Sequence, residues 1–143
     1  MSLNFEEVNV LGNIINDTYG KASTNQGELG RGYSPGGTGV PSSVATKASL
    51  HGDKLTITSL AIINLGPISS QHHEISKIEN ELNQHINKYV SNTKKEFKKK
   101  ENAGRALKCK QIKDSERTDV EMINHYAATR RAYVRRCISY EVS

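Results

Sequence analysis

Tryptophan is absent from this 143-residue chain, and Phe and Tyr bring the aromatic share to only 6%. With 35% hydrophobic residues, the chain has enough apolar material for one domain with a modest core and no more. No run approaches the roughly 18 apolar residues of a membrane span, so no membrane partner is expected. The opening MSLNFEEVNV is acidic and helical in pattern, unlike a secretory signal. Cysteine is scarce as well. Cys109 and Cys137 both fall in candidate strands, where free buried thiols are expected rather than a bridge, and nothing points to an oxidising compartment.

The usual catalytic constellations are missing too. The histidines are His51, His72, His73, His85 and His125. His72 and His73 are neighbours that point apart on a helix, and His73 has Lys77, not a second ligand, four residues on. No tetrahedral metal set has a recognised spacing. There is no Gly-x-Ser-x-Gly elbow and no Gly-Lys-Ser or Gly-Lys-Thr phosphate loop. Gly30-Arg31-Gly32 and Gly36-Gly37-Thr38-Gly39 follow no strand of the right kind, and a flexible arm explains them better. The expectation is therefore no enzyme, no metal, no cofactor and no small-molecule substrate.

What the chain does have is charge, unevenly placed. The net charge is +5. Lys94 to Arg136 holds 14 basic against 6 acidic residues, whereas the remainder holds 6 against 9. A dipolar chain with a basic C-terminal part suits nucleic acid or the acidic face of another protein.

Hydrophobic periodicity organises the rest. Ile75, Ile78, Leu82, Ile86, Tyr89 and Phe97 draw one apolar stripe down a helix expected over Ser70–Lys100. Ser69 or Ser70 can cap it, and Glu74 suits its first turn. Lys94, Lys95, Lys98, Lys99 and Lys100 suit its last. Such a helix is roughly 45 Å long. The part beyond Ser91 has only Phe97 to bury, so that end is expected to overhang the sheet. A first helix is expected over Asn4–Tyr19, with Asn4 as N-cap, Glu7 completing a capping box and Leu3 packing on Val8. Phe5, Val8, Leu11, Ile15 and Tyr19 form its stripe and Gly20 its stop.

Gly20–Ser43 carries seven of the eleven glycines and two of the three prolines, and reads as an extended arm or loop. Val44–Leu50 alternates, His51-Gly52-Asp53-Lys54 is a tight turn, and Leu55–Ile63 returns, crowded on both faces in its later half. Gly66-Pro67 then breaks the strand. After Gly104 come strand candidates at Arg105–Lys113, Thr118–Tyr126 and Arg130–Val142. The expected fold is α+β. An antiparallel sheet of about five strands, a hairpin plus a meander, is packed by the long helix, with the N-terminal helix and the Gly-rich arm added.

Two surfaces stand out. On the last strand Arg131, Tyr133 and Arg135 share one face, which suits an interface because interface cores favour Arg and Tyr over Lys. Arg130 and the arm residues Arg31 and Tyr33 join this candidate interface set. Lys94, Lys95, Lys98, Lys99, Lys100, Arg105, Lys108 and Lys110 form a candidate anion-binding set. The lysine run by itself reads better as a solvated helix end. Together with Arg130–Arg136 it would suit a small nucleic-acid-binding protein, the alternative function.

Three stretches carry a resemblance. They are Phe5-Glu6-Glu7-Val8-Asn9-Val10-Leu11-Gly12-Asn13-Ile14 with Tyr19-Gly20; Phe97 through Ala103-Gly104-Arg105-Ala106-Leu107-Lys108; and Arg130-Arg131-Ala132-Tyr133-Val134-Arg135-Arg136. Across most of its length except the arm, the chain resembles the small virion structural proteins of marine contractile-tailed bacteriophages. The resemblance implies a non-enzymatic assembly role in a capsid, neck, tail or baseplate. The protein would be made in the host cytoplasm and present in the virion in many copies, with itself and other virion proteins as partners.

Overall fold

The structure is a computed structural model and describes residues 2–28, 44–66, 71–100, 105–124 and 130–143. Its first helix begins with a reciprocal capping box. The Glu7 N–H donates to Asn4 Oδ1 (2.8 Å) and the Asn4 N–H donates to Glu7 Oε1 (2.9 Å). Both donors would otherwise lack intrahelical partners. Helix α1 (Phe5–Glu28) then runs past Gly20, the expected stop, into the stretch read as an arm. No proline lies between Gly20 and Glu28. A helical glycine costs about 1 kcal/mol against alanine but does not forbid the helix. Arm residues 29–43, with Arg31 and Tyr33, lie outside the described residues. So do the expected break at Pro67, the caps Ser69 and Ser70, and the stop at Gly104.

The docked face of α1 is Leu11, Ile14 and Ile15, with Leu3 and Val10 partly buried beside the same cluster. Phe5 does not belong to it: at 80% exposure it points to solvent from the capping turn.

Strands β1 (Ala45–His51) and β2 (Lys54–Leu65) form the expected hairpin, with Gly52 at φ 63° in the two-residue turn. Strand β5 (Arg130–Val142) pairs antiparallel with all of β2. The expected meander does not form. β3 (Cys109–Gln111) and β4 (Arg117–Asn124) do not pair with each other; both pair antiparallel with β5. They are one edge strand with an excursion in it, since Gln111 to Arg117 is six steps while their partners Tyr140 to Cys137 are three. Ser115 fills the gap. Its hydroxyl donates to Ile112 O (2.6 Å), the Ser139 N–H donates to Ser115 Oγ (3.2 Å), and the Ile112 N–H donates to Ser139 O (2.9 Å). The sheet is therefore four strand positions wide, with β1 at one edge and β3/β4 at the other.

Helix α2 (Gln71–Lys100) buries Ile78, Leu82, Ile86, Tyr89, Thr93 and Phe97. Its start is pinned where Glu74 Oε2 accepts the Gly66 N–H at 2.7 Å. No overhang exists as far as Phe97, which is fully buried in a cluster with Leu11, Leu107 and Val142. The expectation of an overhang rests on the helix stripe alone, without the helix length set against that of the last strand. The 13 residues of β5 reach roughly 43 Å, about the length of a 30-residue helix, so the sheet needs all of α2 as cover. Both helices lie on the sheet face built from Leu55, Ile57, Ala61, Ile63, Ala132, Val134, Ile138 and Val142. Among the described residues the fold is α+β: two helices on one face of a five-stranded antiparallel sheet.

Candidate interaction surface

Alternation along β5 sends Arg131, Tyr133 and Arg135 to the face opposite the helices. The registers place Ala45, Leu60, Arg135 and Asp119 in one row across the sheet, and Ile62, Tyr133 and Glu121 in the next. Ala45 and Ile62 are buried and Leu60 is partly buried beside them, giving this face a small apolar cluster of its own. Tyr133, directly opposite Ile62, remains 37% exposed. Further along, the face is polar and internally satisfied, with Thr56 Oγ1 and Ser139 Oγ 3.0 Å apart and Thr58 Oγ1 and Cys137 Sγ 3.0 Å apart. Arg135 is exposed and makes no hydrogen bond or ion pair with the described residues.

The neighbouring arginines do different work. Arg130 donates to Gln71 Oε1 (3.0 Å) and Gly66 O (2.7 Å), tying the start of β5 to the β2–α2 junction. It is a strut inside the chain and does not share the face of Arg131, Tyr133 and Arg135. Arg136 lies on the helix side. It donates to Asn83 Oδ1 (2.8 Å) and Thr118 Oγ1 (2.9 Å), with Glu79 Oε2 3.8 Å away, while Thr118 donates to Glu79 at 2.7 Å. The sequence points to a single Arg130–Arg136 patch; strand alternation divides it between the two faces. Sequence reasoning missed the Arg136 network, although the opposite parity of Arg135 and Arg136 is legible in the strand pattern.

The candidate anion-binding set also divides. Lys94, Lys95, Lys98, Lys99 and Lys100 are exposed on α2, on the helix side of the sheet. Arg105 is taken up by Glu7. One Glu7 oxygen closes the capping box and the other accepts from Arg105 Nη1, so a buried carboxylate locks α1 to the segment entering β3. Lys108 exchanges backbone hydrogen bonds with Ser143 (2.9 and 3.0 Å), and Lys110 lies opposite Glu141. The lysines of α2 and the Arg131–Tyr133–Arg135 face thus sit on opposite sides of the sheet and do not form one groove.

The two cysteines are free, and they too occupy opposite faces. Burial pushes the Cys109 thiol pKa up, with the Lys94 ammonium pulling the other way. Burial likewise raises Tyr140, with help from Cys109 and Glu116. Among the described residues no three His, Cys, Asp or Glu side chains gather as metal ligands, and no helix is long and apolar enough to cross a membrane.

Comparison of the chain with models of known protein families, with curated proteins and with solved structures gives no match. Function must therefore be read from the surfaces. Besides the helix-free face, the sheet has a groove along β1, lined by Val8, Gly12 and Ile15 of α1 and by Ala48 and Leu50. At the opposite edge, β4 carries Val120 and Ile123 at 39% and 40% exposure.

Proposed function

We propose that the chain is a non-enzymatic structural subunit of a phage virion, a part of a capsid, neck, tail or baseplate that acts through contacts with copies of itself and with other virion proteins. The observation that supports this most is the helix-free sheet face, with half-exposed Tyr133 between Arg131 and Arg135. Aromatic and guanidinium side chains are the ones that interface centres favour. The face is roughly 40 Å long along β2 and β5 and shorter at its edges, and offers on the order of 700 Å², close to one side of a standard-sized interface. The resemblance of three stretches to phage virion proteins points the same way. Sedimentation velocity over a wide concentration range tests the reading. Concentration-dependent oligomers that Tyr133→Ala and Arg135→Ala weaken are expected. A monomer at every concentration refutes it.

A second reading, binding to nucleic acid, is favoured by the five exposed lysines of α2. Affinity would then fall steeply with salt, by about 0.9 in the log–log slope per neutralised phosphate. A flat salt response removes it.

A further inference from the structure

The sheet ends in two edges that are opposites of each other. Among the described residues no strand pairs with the outer side of β1 or of β4. Such edges present unpaired N–H and C=O groups and invite a further strand unless blunted. Neither contains proline; β1 carries a single charge, Lys47, over its seven residues, while β4 carries Arg117, Asp119 and Glu121 and a register shift between Met122 and Asn124.

The directions match. β1 is antiparallel to β2, β2 to β5, and β4 to β5, so β1 and β4 run antiparallel to each other at opposite edges. A second copy set beside the first in the same orientation therefore brings its β4 antiparallel to β1 and keeps all helices on one side.

The two faces match as well. Ala45 shares a row with Asp119, so Lys47, Asp119 and Glu121 all belong to the helix-free face. There the β1 edge offers a cation, and the β4 edge offers the exposed carboxylates of Asp119, which accepts from Arg117 Nε at 3.2 Å, and of Glu121. On the helix side β4 offers Val120 and partly buried Met122, and the groove between α1 and β1 offers Val8, Ile15, Ala48 and Leu50. A strand added to β1 would slide its apolar side chains under α1, covering Val120.

We infer that the β4 edge of one copy pairs antiparallel with the β1 edge of the next, extending the sheet from subunit to subunit, with Lys47 against Asp119 and Glu121. The inference rests on the assembly reading above and names its partner, a second copy of this chain. Because the two edges differ, the contact is heterologous and closes into a ring or continues as a filament.

Zero-length carbodiimide cross-linking of the full-length protein, with peptides identified by mass spectrometry, tests it. Within one chain Lys47 lies in the row of Arg117, so Asp119 and Glu121 are three strand spacings across and two and four residues along from it, roughly 16 and 19 Å, too far for a direct amide. A Lys47–Asp119 or Lys47–Glu121 amide must therefore join two copies. Lys47→Glu and Glu121→Lys, both at exposed positions that leave the circular dichroism spectrum and unfolding midpoint unchanged, should each raise the half-association concentration about tenfold. Mixed together, the two variants should form complexes through their reversed pair. Oligomers that persist in both variants, or that cross-link through other residues, including β1 to β1 or β4 to β4, overturn the edge contact and leave the assembly reading standing. A monomer at every concentration overturns both.

Discussion

Phe97→Ala tests the seating of the far end of α2, the point at which sequence and structure disagree most. Phe97 is fully buried, and its cluster joins α1 through Leu11, the β3 approach through Leu107 and the end of β5 through Val142. Truncation returns the ring's burial, about 2 kcal/mol. It also leaves a cavity that three separate elements cannot easily collapse together, which brings the total to about 3–5 kcal/mol. For a domain of this size that is a fall of roughly 10 °C in Tm. Urea unfolding followed by circular dichroism, with an unchanged m-value as control, reads the loss. Lys98→Ala, exposed on the next residue, should stay within about 0.5 kcal/mol. If Phe97→Ala costs no more than Lys98→Ala, the end of α2 hangs free and does not cover the sheet.

Arg135→Ala should leave stability within about 0.5 kcal/mol while weakening association, whereas Arg136→Ala should cost about 1–3 kcal/mol because it strips Asn83, Thr118 and Glu79 of their shared donor. Paired unfolding and sedimentation runs separate the two. Glu7→Ala removes both the capping box and the acceptor of Arg105, for a loss of about 1–2 kcal/mol; Glu7→Gln keeps the cap and should lose less, as read by thermal unfolding. Cys109 and Tyr140 both have raised pKa values in the fold, chiefly through burial. Folding therefore opposes their ionisation, and their contribution is complete below the ordinary thiol and phenol ranges. It is lost as pH climbs from about 9 through the raised values, so unfolding midpoints should drop there. A flat alkaline limb contradicts this. Lys94→Ala should raise the Cys109 pKa further and slow its alkylation by iodoacetamide at neutral pH, measured by mass spectrometry.

Local chemistry is legible in the sequence by itself. Asn4 and Glu7 announce the capping box, Gly52-Asp53 the hairpin turn, and the stripe from Ile75 to Phe97 the long helix, because caps, turns and amphipathic stripes depend on residues within a few positions of each other. The alternation of β5 likewise assigns Arg131, Tyr133 and Arg135 to one face through strand parity alone. Tertiary structure decided which element meets which. Nothing local says that β3 and β4 both pair with β5 and not with each other, yet that pairing turns a meander into one broken edge strand, and the packing of α2 along β5 gives its end something to cover. Nothing local says that Glu7 meets Arg105, 98 residues away, or that Arg136 turns inward to Asn83 while Arg135 does not. Those pairings depend on the packing of a helix layer on a sheet, and the same packing leaves the other face and the two edges open for contact.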